Sequence, residues 1–206
     1  MKSQYLIDPP VRFRARTGYV YTAFAVIVAL ILCATTVMEY GVAALLTGCW
    51  PWFFLAYGVW YLLGSPVLEI DREEIRVKNP FKYHRVGYPN LVDISTKFHF
   101  TAVTSQRRYQ SFAVPSNGMA AAMNRKTVDT KNVPSISYGA EGGLRTSDLP
   151  HSLAGGAALV ARGYWQEIVE AEHLESFPNI EETTFDVKGG VIFALLALAA
   201  ALSVLL

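Results

Sequence analysis

The side chains that could ligate a metal are few and widely spaced. They are the histidines His84, His99, His151 and His173 and the cysteines Cys33 and Cys49. No two histidines stand three or four residues apart and none lies near a cysteine, so the short spacings of a zinc site are missing. All four histidines fall outside the apolar runs, which leaves those runs without a pair of haem ligands. We predict no metal and no cofactor, with a site assembled from distant histidines as the alternative.

Motifs of an enzyme or a transporter are also missing from the sequence. The serines and cysteines lack the context of a nucleophile elbow, G-x-S-x-G. The apolar runs contain no Asp, Glu, Lys, Arg or His, whereas an ionisable group inside a membrane helix is the usual marker of an ion path. We therefore predict that the protein is not an enzyme, and the pattern disfavours a channel or transporter.

Two groups of arginines are candidates for contacts with anionic headgroups or with a partner protein. Arg12, Arg14 and Arg16 lie near the N-terminus, and Arg107 and Arg108 lie in a predicted hairpin turn. Clustered cations attract phosphate groups and anionic membrane surfaces. The alternative for Arg107 and Arg108 is a solvated turn without a ligand.

Three apolar runs predict transmembrane helices. Charged residues make up only 17% of the 206 residues, against the ~25% of ordinary soluble domains. The runs cover residues 18–38, 42–64 and 189–206, and at about 1.5 Å per residue they are long enough to cross a ~30 Å hydrocarbon core, the third only just. The first two predict a hairpin over residues 18–64, kinked at Pro51. The alternatives are a signal peptide for the first run and a buried core helix for the third.

The distribution of charge predicts the topology. Residues 1–17 carry four basic side chains against one acid, whereas the loop between the first two runs carries only Glu39. By the positive-inside rule, the N-terminus and residues 65–188 are cytoplasmic in a multi-pass protein of the plasma (inner) membrane. Aromatic side chains that could anchor the second run at an interface, or face a partner protein, are Trp50, Trp52 and Trp60.

Residues 65–175 predict a cytoplasmic α+β domain. Period-two alternation and turn signals such as Asn79-Pro80 indicate an antiparallel meander between residues 67 and 114, with its third strand running from Leu91 to Phe100. A polar insert follows over residues 116–148, and residues 176–188 link the domain to the third apolar run. A helix within residues 149–174 is predicted to cover the sheet, with Ser152 as its N-cap. Its predicted apolar stripe consists of Leu159, Val160, Tyr164, Ile168 and Val169.

Charge is uneven within this domain. Residues 65–131 contain 11 basic and 6 acidic side chains, and residues 132–187 contain 2 basic and 9 acidic ones. The basic half suits an anionic inner leaflet or an acidic partner, and the acidic half suits a basic neighbour. Two solvated faces are the alternative. The net charge of the whole chain is +1, which predicts no nucleic-acid partner.

One stretch resembles a known family. The run Val77-Lys78-Asn79-Pro80-Phe81-Lys82-Tyr83-His84-Arg85-Val86, followed by residues 88–94, resembles the bacterial PH (pleckstrin-homology-like) domain of actinobacterial membrane proteins. Residues 145–150 and 157–165 resemble the end of such domains, so the likeness covers about half the chain. It implies a seven-stranded bent antiparallel sheet capped by one C-terminal helix, used for binding or scaffolding. The insert and the third apolar run depart from the pattern.

The size and layout are similar to those of the small accessory subunits of the actinobacterial cytochrome bc–aa3 respiratory supercomplex. This second resemblance implies a non-catalytic accessory or assembly subunit of a complex for electron transport. Its partners would be membrane lipids and integral subunits of the bc complex and the aa3 oxidase. The alternative is a PH-like sensor or scaffold at the membrane surface that binds lipid headgroups.

Overall fold

The computed structural model describes residues 3–115 and 152–205, and the predicted insert over residues 116–148 lies outside them. The chain divides into two compact units. Of the described residues, 3–14, 67–79, 83–115 and 152–184 form the sheet unit, and 15–66, 80–82 and 185–205 form the helical unit.

Helices and strands account for most of the described chain. The helices are α1 (Arg16–Tyr40), α2 (Ala44–Thr47), α3 (Trp50–Val59), α4 (Leu153–Glu170) and α5 (Val187–Leu205). The strands are β1 (Val11–Phe13), β2 (Val67–Ile70), β3 (Glu74–Asn79), β4 (Lys82–Gly87), β5 (Leu91–Ser95), β6 (His99–Thr104), β7 (Arg108–Pro115) and β8 (Glu181–Phe185). A π-helical turn covers Trp60–Gly64, and short 3₁₀ turns cover Tyr88–Asn90 and Leu174–Ser176.

Within residues 3–115 and 152–205, two helices, α1 and α5, are by length and composition suited to cross a membrane. They correspond to the first and third predicted runs. In an apolar 18-residue window of each helix, only 17% of the residues of α1 and 6% of those of α5 are buried. Most residues in these windows are therefore exposed or only partly covered.

The second apolar run is not one kinked helix but two helices and a π-helical turn. The break lies at Gly48 and Cys49, between α2 and α3. Pro51 stands in the first turn of α3, where its missing N–H costs no hydrogen bond. The chain therefore interrupts the helix just before the proline. At the other end, the N–H of Ser65 bonds the carbonyl of Trp60 at 2.7 Å, the wider spacing that defines a π-helix.

The strands of the sheet unit form two sheets. One has the order β1-β2-β3-β4-β8 and the other the order β5-β6-β7. The pairs β1–β2, β2–β3, β5–β6 and β6–β7 are antiparallel, which confirms the predicted antiparallel pairing. The predicted third strand, Leu91 to Phe100, is in fact two strands, β5 and the start of β6, separated by residues 96–98.

Two strands lie where no strand was predicted. β1 falls inside the segment 1–17 and pairs with β2, with Val11 opposite Ile70. β8 falls inside the predicted linker 176–188 and adds to the sheet beside β4. The described residues thus form eight strands in two sheets, where the family resemblance implied a seven-stranded bent sheet.

The helix α4 covers the sheets as predicted. The Ser152 hydroxyl accepts a hydrogen bond from the N–H of Gly155 at 2.8 Å, which confirms the N-cap. Within the predicted stripe, Tyr164 and Ile168 are buried, but Val169 is 47% exposed. The buried face is completed instead by small residues and an indole, namely Ala154, Ala157, Ala158, Ala161 and Trp165.

The side chain of Asn79 fastens β3 to β7. Its Nδ2 donates to the carbonyl of Gln110 at 2.7 Å, and its Oδ1 accepts from the N–H of Phe112 at 2.9 Å. Asn79 is 6% exposed. A residue that the sequence marks as a turn signal therefore also serves as a hydrogen-bonded link between the two sheets.

Candidate functional site

A polar cleft lies on the face of the β5-β6-β7 sheet that points away from the core. Alternation along the strands creates it, because Phe100, Ala102 and Tyr109 point into the core and their neighbours in the strands point outward. The cleft has a volume of about 450 Å³. Its lining residues are Asp93, Ser95, Lys97, Phe98, His99, Thr101, Val103, Arg108 and Gln110.

Strand register arranges the central lining residues in two rows. In one row Asp93 pairs with Val103, which pairs with Arg108. In the second row Ser95 pairs with Thr101, which pairs with Gln110. Directly opposed residues on neighbouring strands stand about 5 Å apart. The first row therefore places a carboxylate and a guanidinium on opposite sides of the cleft, two strands apart.

The cleft carries an excess of positive charge. Lys97 and Arg108 face one carboxylate, Asp93, and the ring nitrogens of His99 add further polar groups. Within residues 3–115 and 152–205, neither Lys97 nor Arg108 forms an ion pair. The Lys97 ammonium lies 5.5 Å from the centre of the Phe98 ring, a cation–π contact that leaves its donors free for a ligand.

Three other arginines of the sheet unit, Arg12, Arg76 and Arg85, are paired with carboxylates. Arg12 bonds Glu69 at 2.7 Å. The buried carboxylate of Glu74 accepts from Arg76 Nε at 2.5 Å and from Arg85 Nε at 2.9 Å. These hydrogen bonds to Glu74 raise the pKa of both guanidinium groups above the ordinary arginine value. The network joins β3 to β4 and is structural, in contrast to the cations of the cleft.

The predicted arginines do not form one site. Arg108 lines the cleft, and Arg107 lies in the β6–β7 turn, where its carbonyl accepts from the N–H of Thr104 at 2.9 Å. Arg12 lies on β1 in its ion pair, Arg14 follows β1 in the sheet unit, and Arg16 begins α1 in the helical unit. Sequence analysis did not single out Lys97 or Asp93. The alternation of β6 and β7 was the available signal, but only the register shows which residues face one another.

The three tryptophans predicted as contacts, Trp50, Trp52 and Trp60, lie in the helical unit. The indole N–H of Trp50 donates to the carbonyl of Leu46 at 2.8 Å, and that of Trp52 donates to the Thr36 hydroxyl at 3.3 Å. Trp60 is 41% exposed. Hydrogen bonding inside the protein thus removes the cost of placing Trp50 and Trp52 in an apolar environment.

An apolar cleft of about 710 Å³ lies at one end of the helical unit. It is lined by Tyr40, Leu46, Thr47, Gly48, Trp50, Ala199, Leu202 and Ser203. The Ser203 hydroxyl donates to the carbonyl of Thr47 at 2.5 Å, so this polar group is satisfied within the wall. The remaining surface is mainly aliphatic and aromatic, which suits an apolar occupant.

An aromatic cluster near the start of α5 supports the helices. The Tyr61 hydroxyl donates to Asp186 Oδ2 at 3.3 Å and accepts from the N–H of Phe81 at 3.1 Å. The rings of Tyr61 and Phe81 meet edge to face at 5.1 Å, and Phe193 lies 5.5 Å from Phe81. The other carboxylate oxygen of Asp186 accepts from the N–H of Gly189 at 3.1 Å and caps α5. These polar atoms are engaged in holding the elements together.

Comparison of the chain with models of known families, with curated proteins and with solved structures found no match. In the described part of the chain, no group of three or more His, Cys, Asp and Glu side chains could hold a metal ion.

Proposed function

We propose that the protein is a non-catalytic accessory or assembly subunit of a complex in the plasma membrane. One observation carries the proposal: α1 and α5 are strongly apolar, yet only 17% and 6% of the residues in their apolar windows are buried. A core helix of a soluble protein buries its apolar residues, whereas a helix in a bilayer leaves them facing lipid or neighbouring helices. Membrane insertion therefore explains both helices.

The apolar cleft supports contact with a further membrane helix. Its aromatic walls, Tyr40 and Trp50, and its aliphatic wall at Leu202 leave space of about 710 Å³. Helices in a bilayer associate through close packing of such surfaces. In this proposal the sheet unit is a PH-like module. The helical unit docks on integral subunits, and the sheet unit contacts them in the cytoplasm. The layout favours the respiratory bc–aa3 supercomplex as the complex concerned.

The experiment is a mild-detergent pull-down of the tagged full chain, followed by mass spectrometry and a reduced-minus-oxidised haem spectrum. We expect stoichiometric cytochrome subunits and haem bands in the eluate. A haem-free eluate that contains other integral subunits would exclude the respiratory complex but keep the role of an accessory subunit in another membrane complex. An eluate that contains the protein alone would overturn it.

A matched pair of variants tests the apolar cleft. Leu202 lines the cleft, and Leu198 is 58% exposed one turn earlier on α5 outside it. Both Leu202→Trp and Leu198→Trp keep α5 apolar, but only the former fills the cleft. We expect Leu202→Trp to lose partner recovery and Leu198→Trp to retain it. Equal recovery with both variants would exclude the cleft as the contact.

A second candidate function is a membrane-surface sensor that binds lipid headgroups. The observation that favours it is the polar cleft, in which Lys97 and Arg108 lack ion-pair partners among the described residues. In this reading α1 and α5 anchor the sheet unit beside the anionic inner leaflet.

A further inference from the structure

We infer that the polar cleft of the β5-β6-β7 sheet binds a phosphorylated polyol, with Lys97 and Arg108 on the phosphate and Asp93 on a hydroxyl group. This inference rests on the second candidate function and names the ligand chemistry of that site. It differs from a general affinity for anionic surfaces because it assigns separate roles to the cations and to the carboxylate.

We assign the phosphate of the ligand to Lys97 and Arg108 because neither has an ion-pair partner among the described residues. The guanidinium of Arg108 offers a planar fork of donors that matches phosphate oxygens, and Lys97, in the turn between β5 and β6, adds a mobile point charge on a long side chain. In the sheet unit, Arg12, Arg76 and Arg85 have carboxylate partners, whereas Lys97 and Arg108 have none among the described residues. An anion at this position would therefore gain charge without displacing an existing ion pair.

We assign a hydroxyl group of the ligand to the carboxylate of Asp93. A carboxylate beside a phosphate site repels a simple anion, so inorganic phosphate is a poor match for the whole cleft. An ionised carboxylate is, however, a strong acceptor for hydroxyl groups. Asp93 lies two strands from Arg108 in the same cross-strand row, about 10 Å away at the backbone. A ligand with a phosphate at one end and a hydroxyl at the other spans this arrangement.

The floor of the cleft suits such a ligand. Ser95, Thr101 and Gln110 form the second row and present hydroxyl and amide groups. The Thr101 hydroxyl donates to the carbonyl of His99 at 3.3 Å, which leaves its oxygen free to accept. The volume of about 450 Å³ falls within the usual range of small-molecule sites, about 300–1,000 Å³.

Glycerol 3-phosphate is the probe, because it is among the smallest phosphorylated polyols. The full chain in a neutral detergent is titrated with it, with glycerol and with inorganic phosphate, and binding is followed by calorimetry and by the amide NMR signals of Thr101 and Gln110. We expect glycerol 3-phosphate to bind at least about tenfold more tightly than inorganic phosphate, and glycerol not to bind. Arg108→Gln and Lys97→Gln should each weaken binding about tenfold or more, the usual effect of losing a charged hydrogen bond.

Two further variants separate the roles. Arg107→Gln is the matched control, because Arg107 is an exposed neighbour of Arg108 outside the cleft, and it should bind like the wild type. Asp93→Asn should abolish the preference for glycerol 3-phosphate over inorganic phosphate. If Asp93→Asn keeps that preference, the role of Asp93 is overturned. If the Arg108→Gln and Lys97→Gln variants bind the probe like the wild type, the phosphate does not bind in this cleft and the inference is wrong.

The source of the phosphate is tested with nanodiscs of phosphatidylcholine, with and without phosphatidylglycerol. Protection of the β5–β7 amides from hydrogen exchange only with phosphatidylglycerol identifies a lipid headgroup. Binding of the soluble probe without an effect of phosphatidylglycerol identifies a free metabolite. A phosphatidylglycerol effect that survives Arg108→Gln and Lys97→Gln keeps the sensor function but overturns this inference. If no probe gives a response, both the sensor function and the inference of a phosphorylated polyol are overturned. The recovery of partner subunits in the pull-down does not depend on any of these outcomes.

Discussion

Phe81 has a backbone conformation that large side chains seldom adopt. It follows Pro80 in the turn between β3 and β4 and has a φ of 66°. A proline followed by a residue with positive φ is the pattern of a type II turn, in which the second of these positions is usually glycine. For an L-residue this left-handed conformation costs about 1–2 kcal/mol. The turn nevertheless holds Phe81, since its ring packs on Tyr61 and Phe193.

The pair Phe81→Ala and Phe81→Gly separates the ring contacts from the backbone cost. Both variants lose the two edge-to-face contacts, each worth about 0.5–1.5 kcal/mol, so the alanine variant should be less stable than the wild type by roughly 1–3 kcal/mol. Alanine keeps the backbone cost of about 1–2 kcal/mol, and glycine removes it. The glycine variant also loses about 0.4–1 kcal/mol of stability, because glycine gives the unfolded chain more conformational freedom than alanine does. The glycine variant should therefore be the more stable by about 0.5–1 kcal/mol, the reverse of the ordinary order.

Thermal unfolding in a mild detergent measures this difference. For a chain of this size 1 kcal/mol corresponds to about 2–4 °C in Tm, so Phe81→Gly should melt about 1–4 °C above Phe81→Ala. Phe98, which is 68% exposed and has no positive φ, is the control position, and there alanine should be more stable than glycine. If Phe81→Gly melts at or below Phe81→Ala, the backbone of the turn is not strained and the reasoning fails.

Three other perturbations test the sheet unit. Asn79→Ala removes both links to β7 and leaves the Gln110 carbonyl and the Phe112 N–H without these part-buried hydrogen bonds, so we expect a loss of roughly 1–3 kcal/mol and faster hydrogen exchange at the Phe112 amide. Unchanged exchange would contradict the link. Ser152→Ala removes the N-cap of α4 and should cost about 1 kcal/mol in chemical denaturation, whereas Ser152→Asn, which keeps a capping oxygen, should cost much less. Burial raises the pKa of the Tyr88 phenol well above its ordinary value, so the unfolded chain loses this proton first and stability should fall as the pH rises above about 10. Tyr88→Phe should flatten that fall in unfolding measurements between pH 8 and 11, and an unchanged slope would contradict the assignment to Tyr88.

Local patterns were sufficient for the elements with strong periodicity. The alternation of Ile75 and Val77 predicted β3, and both side chains are buried. Ser152 before an apolar helical stripe predicted the start of α4. In each case neighbouring residues supply the determining interaction, either burial of alternate side chains or a hydrogen bond within the first helical turn. Such interactions can be inferred from residues a few positions apart.

The edge strands could not be predicted in this way. β1 has only three residues, and most of the residues of β8 are exposed polar side chains, so neither shows apolar alternation. β8 is held by distant partners: Glu181 accepts from the Thr104 hydroxyl at 2.7 Å and from the Tyr109 hydroxyl at 2.9 Å. These contacts join residues more than 70 positions apart, and no local pattern encodes them.

The candidate site also combines features that local patterns predict with features that depend on distant contacts. Sequence patterns alone predicted an α+β unit between apolar segments, a hairpin at Arg107 and Arg108, and three membrane helices, of which α1 and α5 are long and apolar enough to cross a membrane. Composition and short-range periodicity are enough for these conclusions. By contrast, the three-dimensional structure was needed to find that Asp93, Val103 and Arg108 share a row and that Lys97 and Arg108 lack ion-pair partners among the described residues. Register and ion pairing depend on which strands meet, and that choice is made by packing of the whole unit.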